Sequence, residues 1–296
     1  MRALGVFTLF LIGCLLLSAM LHYPLFSLLQ HVADIPPHKL VTRIGKLLAL
    51  PGFFLLITWL GLYSRQALGY GLPKPLFIRQ MALGWLVGLA ILLILASTLI
   101  ALDIRVLKPL KDSFAQDLIK TLASGLIAGL LVALIEETFF RGAMFQSIRR
   151  QGSAFSAITL SSLLYAAVHF IDPLALPGDE AIGWLSGLQI LGSAFWQFGE
   201  WATFDSFIAL FAVGLFLGLV RERSGNIAYC IGLHAGWVLV IKCTKKFTSN
   251  AGGEWGFLTG NYDGVTGYLA FAWISLLAIS YYLISKRPKE KGNPSA

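Results

Sequence analysis

Three apolar stretches of this sequence carry ionisable side chains of the kinds that bind or activate water. The first ends ALIEETFFRGAMF and contains Glu136, Glu137 and Arg141. The second ends LLYAAVHF with His169, and the third, CIGLHAGWVLV, contains His234. Charge in a hydrocarbon environment is costly, and such groups usually face a bundle interior, a partner or water. These five residues are therefore the candidates for a functional site.

Helical spacing gives the two neighbouring carboxylates different roles. Glu137 and Arg141 are four residues apart, so they share a helix face and can form an ion pair in the favourable Glu-before-Arg order. Glu136 points about 100° away and lacks that counter-charge, which suits a general base or acid. His169 likewise shares a helix face with Tyr165. One acid and two histidines on three helices can converge to bind or activate a water, or to hold a metal through three ligands.

The remaining histidines and the cysteines show no comparable pattern. His22, His31 and His38 lie in or beside the first predicted loop, where solvent explains them. The three cysteines lie in or at the ends of apolar stretches, with neither metal-ligand spacing nor a disulfide framework.

The elements that must position these residues are membrane-spanning helices. Apolar residues make up 57% of the 296 residues and charged residues only 13%, against about 25% charged residues in soluble domains. Eight apolar stretches approach the length of about 20 residues that crosses a bilayer. The prediction is an all-α, polytopic membrane helix bundle of about eight transmembrane helices, with seven as the alternative, forming one membrane domain over 1–296. The predicted spans are 3–22, 47–64, 81–102, 118–135, 153–171, 203–220, 226–243 and 265–284.

These span limits conflict with a shared site. They place Glu136 near the inner end of span four and His169 near the outer end of span five. Convergence requires span four to continue past Arg141, so that Glu136 lies deeper in the bundle.

The distribution of basic residues predicts that both termini are cytoplasmic, in a bacterial inner membrane. Thirteen of the 23 Lys and Arg residues lie on the side of the N-terminus, and the other ten are mixed with 11 acidic residues. The net charge of +8 requires no nucleic acid partner, because the bilayer's anionic lipids attract such charge. The aromatic connection 172–201 is interpreted as an interfacial helix, a re-entrant flap or a plain connector.

The three motifs resemble those of the CAAX-protease and bacteriocin-processing (CPBP/Abi) family of intramembrane endopeptidases. EETFFRG, beginning at Glu136, matches the EExxxR signature. The second motif, FxxxH, is present with Tyr165 in place of phenylalanine and ends at His169. In the third motif His234 is present, but Val238 stands where the family has Asn or Asp.

The resemblance covers 118–242, the expected catalytic motif core, and implies an eight-helix fold with a cavity open to membrane and cytoplasm. It implies that Glu136 is the base that activates water for peptide-bond hydrolysis. Glu137 and Arg141 would be the supporting pair, and His169 and His234 the partners of the water or the oxyanion. The implied substrate is a membrane-associated peptide or protein.

Val238 leaves the consequences of the resemblance open. The missing amide or carboxylate would help to stabilise a developing oxyanion. Its loss is consistent with a slower enzyme, with another residue that supplies the group, or with loss of catalysis. One alternative to an enzyme, which Val238 motivates, is a non-catalytic membrane scaffold or immunity factor. The other is a proton-coupled transporter, because buried Glu and His side chains also form proton relays. The sequence shows no internal two-fold symmetry of the kind found in many transporters.

Metal dependence is a second open question. Glu136, His169 and His234 could bind a divalent metal such as zinc, although the sequence has no HExxH motif to place two ligands and a base on one helix. The family resemblance implies either a metal-dependent protease or a glutamate protease without a metal. The favoured interpretation is a water activated by Glu136 without a tightly held structural metal.

Overall fold

The computed structural model describes residues 2–32, 35–176 and 182–285, and it forms an all-α bundle. Eight helical segments of the described chain correspond in order to the eight predicted spans. The helices are α1 (Arg2–Leu29), α2 (Pro37–Trp59), α3 (Lys74–Ala101), α4 (Phe114–Glu137), α5 (Phe145–Gln151), α6 (Ala154–Val168), α7 (Ser186–Ser193), α8 (Phe204–Ser224), α9 (Ala228–Phe247) and α10 (Tyr268–Ile284).

Short elements complete the structure. Strands β1 (Arg105–Leu107) and β2 (Thr248–Asn250) pair antiparallel, with Val106 opposite Ser249. Single 3-10 turns lie at Trp196–Gly199, Trp201–Thr203 and Gly256–Leu258. A π-helical segment, Thr138–Met144, joins α4 to α5.

Five helices among the described residues are long and apolar enough to cross a membrane. These are α1, α2, α3, the continuous helix Phe114–Gln151, and Trp201–Ser224, which contains α8. Helices α6 and α10 are apolar but shorter. The chain is therefore a polytopic helical membrane protein, as its composition predicts.

The predicted limits of span two are wrong at its start. The helix begins at Pro37, well before the predicted residue 47. Proline is favoured in the first helical turn, where its missing N–H costs nothing. The basic residues that follow hide this start from a search for apolar runs.

Helix α4 continues past Arg141, as a shared site requires. The continuous helix Phe114–Gln151 has 38 residues, and the π-helical segment lies near its middle. Gly142 permits the close approach of the loop before α3, because a methyl group added there would lie 2.9 Å from the carbonyl oxygen of Leu68. Arg221 Nε donates a hydrogen bond to the carbonyl oxygen of Arg141, which lies in the π-helical segment, at 3.0 Å.

Helix α9 lies between α3 and α4, and glycines set its distance from both. A methyl group added at Gly88 would lie 2.5 Å from the Leu233 carbonyl oxygen, and one at Gly129 would lie 2.8 Å from that of Ala235. Leu233 and Ala235 flank His234, so these close contacts hold the histidine against α4. Small residues on α3 and α4 therefore permit close packing of α9 against both helices.

Helices α1, α2 and α7 pack on one another at one side of the bundle, and α1 and α2 share a hydrophobic core with α5 and α6. A methyl group added at Gly187 of α7 would lie only 2.0 Å from the Ala19 carbonyl oxygen of α1. The connection 172–201 therefore contains a short helix that packs on the bundle. In the same group His22 is completely buried, so the expectation that solvent explains it is wrong.

Candidate functional site

The predicted ion pair forms in the core between α4, α8 and α9. Arg141 Nη1 lies 3.2 Å from Glu137 Oε1, and both side chains are buried. His234 Nδ1 contacts the same oxygen at 2.8 Å. Arg141 Nη2 also reaches the Gly214 carbonyl oxygen at 3.5 Å. Glu137 is thus fixed by a cation and an imidazole.

Glu136 lies on the other side of the helix and faces both predicted histidines. Its Oε2 atom is 3.9 Å from Nε2 of His169 and 3.9 Å from Nε2 of His234. These distances are too long for direct hydrogen bonds, but they suit groups bridged by a water. The Glu136 side chain retains 28% exposure, whereas Glu137 has none. The structure therefore brings Glu136, His169 and His234 to one point.

The hydrogen bonds at the Nδ1 atoms indicate the tautomer of each neutral histidine. Glu137 is ion-paired and accepts, so His234 Nδ1 donates to it. His169 Nδ1 lies 2.7 Å from the Tyr165 carbonyl oxygen, which can only accept. Each Nε2 atom is then an acceptor while its ring is neutral. Glu136 and both Nε2 atoms therefore offer acceptors to whatever lies between them.

The ring of Tyr165 connects the ion pair to the histidines. The Arg141 guanidinium carbon lies 4.2 Å from the Tyr165 ring centroid, within cation–π range. The same ring lies 4.5 Å from the ring of His169 and 6.4 Å from that of His234. An aromatic residue at this position therefore supports both imidazoles and covers the guanidinium.

A cavity of about 310 Å³ opens in front of Glu136, His169, His234 and Val238. Most of its wall is apolar and comes from α3, α8, α9 and α10. The apolar lining includes Leu92, Leu95, Leu210, Val213, Ile241, Val265, Ala270 and Ile274. This wall suits an extended, largely apolar peptide segment better than a hydrated small molecule.

A second, more polar cavity of about 640 Å³ adjoins the first. The two share His169, Ile241, Tyr262 and Asp263 in their linings. The second cavity is also lined by Asp172, Lys245 and Asn261, on the loops after α6 and α9 and at the end of α9. The two cavities are therefore neighbours, and the second lies near the ends of these helices.

In this structure Glu136 lies slightly farther from His169 and His234 than two ligands of one zinc ion lie from each other. Two ligands of one tetrahedral zinc ion lie about 3.4 Å apart, because each bond is about 2.1 Å long. The Glu136 oxygen is 3.9 Å from each imidazole nitrogen. No group of three or more His, Cys, Asp or Glu side chains in the described residues is arranged to hold a metal ion.

The structure adds residues that sequence reasoning missed. Arg221 is buried and donates a hydrogen bond to the backbone of the π-helical segment. Its position at the end of an apolar span is a sequence signal for such a buried contact. Tyr262 and Asp172 line the cavities from loops. Nothing in the local pattern NYDG distinguishes Tyr262 from an ordinary turn residue.

Comparison with known proteins gives one family match. Residues 118–240 match the family of type II CAAX prenyl endopeptidases described as Rce1-like. The match covers less than half of the chain, and it includes all the motif residues from Glu136 to Val238. No curated protein and no solved structure matches significantly. The match confirms the resemblance drawn from the motifs and supports a membrane protease at the level of the family.

Proposed function

We propose that this protein is an intramembrane endopeptidase in which Glu136 activates a water to hydrolyse a peptide bond. The observation that carries the proposal is the position of Glu136 Oε2, 3.9 Å from Nε2 of both His169 and His234 at the wall of a cavity. A water placed between three acceptors donates its two hydrogens to two of them. Its oxygen lone pairs then remain free to attack a carbonyl carbon.

Glu136 serves first as the base and then as the acid. It takes one proton from the water while the water oxygen adds to the carbonyl carbon, and the carbonyl π electrons move to the oxygen. The tetrahedral intermediate then re-forms the C=O bond and breaks the C–N bond. The leaving amine takes the proton from Glu136, which restores the carboxylate. General acid–base transfer by a positioned side chain typically contributes 10²–10⁴-fold.

The buried pair keeps one of the acceptors in place. Glu137 receives the His234 Nδ1 hydrogen, which turns Nε2 towards Glu136. Arg141 holds Glu137 in position. His169 is oriented in the same manner by the Tyr165 carbonyl. Proton transfer then requires no movement of either ring.

The cavities support a membrane-associated peptide or protein as the substrate. The apolar wall in front of Glu136 suits an aliphatic segment, and the polar second cavity suits the backbone of a chain that leaves the membrane. The matched family is named for prenylated CAAX substrates. A lipid-anchored peptide is therefore the first substrate class to test here.

We propose that both termini are cytoplasmic, in a bacterial inner membrane, and the basic-residue count supports the cytoplasmic termini. The polar cavity, lined by the ends of α6 and α9, would then open on the outer side, whereas the family resemblance implies a cavity open to the cytoplasm. Four of the thirteen basic residues behind this orientation lie in 286–296, outside the described residues. Replacement of Asn261 by cysteine, in a chain without its own cysteines, tests the orientation. We expect labelling by a membrane-impermeant maleimide added outside, and labelling only after lysis would reverse the orientation.

The decisive experiment measures cleavage by the purified protein in lipid vesicles. The probes are an internally quenched peptide that ends in a farnesylated CAAX sequence and the same peptide carrying a palmitoyl chain. We expect cleavage of at least one probe, and a loss of about 10³-fold or more in Glu136→Gln, because the amide cannot accept the proton. Glu222→Gln is the matched control, since Glu222 pairs with Arg149 at the exposed surface.

Two results would contradict the proposal. Cleavage by Glu136→Gln at the wild-type rate would remove the glutamate from the chemistry. If neither probe is cleaved while a cellular phenotype of the deletion is rescued by Glu136→Gln, the protein is a non-catalytic scaffold. Val238 is the feature that motivates this second candidate function, because the family's amide is absent there.

A further inference from the structure

We propose that the Tyr262 hydroxyl donates the hydrogen bond that stabilises the carbonyl oxygen of the scissile peptide bond. Tyr262 lies in the loop between α9 and α10, outside the family-matched segment. The inference rests on the proposed hydrolysis and adds a residue that the motifs do not contain.

The site needs a donor that its motif residues do not supply. Negative charge develops on the carbonyl oxygen during attack, and donors aimed at that oxygen are usually a large part of catalysis. The Nδ1 hydrogens of His169 and His234 are already bound to the Tyr165 carbonyl and to Glu137. While the rings are neutral, no hydrogen remains for the substrate oxygen. Val238, one turn after His234, has no polar atom to offer.

Besides the two histidines, four side chains with hydrogen-bond donors line the cavity of Glu136, and Tyr262 is the most accessible of these four. Thr266 already donates its hydroxyl hydrogen to Asp263 at 2.7 Å. Tyr165 and Trp237 are only 2% and 4% exposed. Tyr262 is 37% exposed, and its hydroxyl forms no hydrogen bond with any of the described residues. It also lines both cavities, so it lies where a substrate would pass.

The loop that carries Tyr262 is held in a defined shape. The Gly260 N–H donates to the Thr266 carbonyl oxygen at 2.8 Å and closes the loop. Asp263 Oδ1 accepts from the backbone N–H of Thr266 at 2.7 Å. Arg105 Nη1 donates to the Gly264 carbonyl oxygen at 2.8 Å. A donor on such a loop needs little reorganisation during the reaction.

The ring of Tyr262 is also fixed relative to the histidine motif. It packs on Phe170, with ring centroids 5.3 Å apart, and Phe170 follows His169 in the chain. Burial raises the pKa of Tyr262, and the carboxylates of Asp263, Glu136 and Asp172 raise it further. The hydroxyl therefore keeps its hydrogen at neutral and mildly alkaline pH, as a donor must.

The test compares tyrosine-to-phenylalanine variants in the quenched-peptide assay. Tyr262→Phe keeps the ring on Phe170 and removes only the hydroxyl. We expect kcat to fall about ten- to hundred-fold while KM stays within about two-fold, since the bond strengthens mainly in the transition state. Tyr268→Phe, the same change at an exposed position outside both cavities, should match the wild type.

A binding measurement makes the test independent of turnover. The probe is the quenched peptide with a difluoromethylene ketone at the scissile position, whose hydrate resembles the tetrahedral intermediate. Tyr262→Phe should weaken its binding by about the factor lost in kcat/KM, and leave binding of the uncleaved peptide to the Glu136→Gln background unchanged.

The outcomes separate this inference from the proposed function. Wild-type kcat and ketone affinity in Tyr262→Phe would overturn the role of Tyr262 while hydrolysis stands. The same is true if Tyr165→Phe or Trp237→Phe, and not Tyr262→Phe, shows the loss. A wild-type protein that neither cleaves the peptides nor binds the ketone would overturn the proposed function, and this inference with it.

Discussion

Two regions of the bundle bury a histidine, and they differ in what surrounds it. In the region of α4, α6 and α9, His234 donates to Glu137 and faces Glu136 across a cavity. In the group of α1, α2 and α7, His22 is completely buried and stacks on Phe26, with ring centroids 5.9 Å apart. Neither ring nitrogen of His22 forms a hydrogen bond of ordinary geometry, although the Pro37 backbone lies near it.

Under the proposed function, burial alone does not distinguish His234 from a histidine without a functional role. The cavity between α1, α2 and α7, about 200 Å³, is lined mainly by aliphatic side chains and does not include His22. The cavity in front of His234 includes a carboxylate and a second imidazole. A buried imidazole becomes part of a site when a charged partner fixes its tautomer and a cavity brings a reactant to its other nitrogen.

The largest effect is expected on breaking the buried pair beside His234. Glu137→Gln leaves Arg141, at 1% exposure, without its counter-charge. Arg141→Met leaves the buried Glu137 without its counter-charge. Removal of one partner of a buried pair typically costs about 3–5 kcal/mol. We expect each variant to lower the free energy of unfolding by that amount, as measured by titration with sodium dodecyl sulfate. Both should also lose hydrolysis, because His234 is no longer held.

The double variant Glu137→Gln/Arg141→Met measures the coupling free energy between the two buried charges. It removes both charges, so it should be more stable than the sum of the single losses predicts, by about 1–3 kcal/mol. Glu136→Gln should leave stability nearly unchanged, because Glu136 keeps 28% exposure and has no close charged partner. Equal destabilisation by Glu136→Gln and Glu137→Gln would contradict the separate roles of the two carboxylates.

Helical spacing predicted the relation between the two carboxylates because both lie in regular helix. Glu136 and Glu137 close α4, and the π-helical segment begins only at Thr138. A rotation of about 100° per residue therefore still applies to them. The π-helical segment itself was not predicted from the residue spacing. Its Gly142 lies close to Leu68, a residue from a distant loop, and residue spacing within one helix does not reveal such a contact.

The parts of the site that the sequence did not predict come from tertiary contacts. Tyr262 reaches the cavity through contacts of its loop with Arg105, in strand β1, and of its ring with Phe170, after α6. These residues are far apart in the chain and belong to no common motif. The early start of α2 was missed for a local reason, because its first turns mix charged and apolar residues.

The smallest effect is expected at His22, the second member of the comparison. His22→Leu replaces a buried polar ring by an aliphatic side chain and removes two nitrogens without good hydrogen bonds. Burial of a polar group without good hydrogen bonds costs about 1–3 kcal/mol in mutational data. The replacement removes part of this cost, but it also removes the stacking contact with Phe26. We therefore expect a free energy of unfolding within about 1 kcal/mol of the wild type and unchanged peptide cleavage. A loss of cleavage without a loss of stability would show that the group of α1, α2 and α7 takes part in the chemistry, and the distinction between the two histidines would fail.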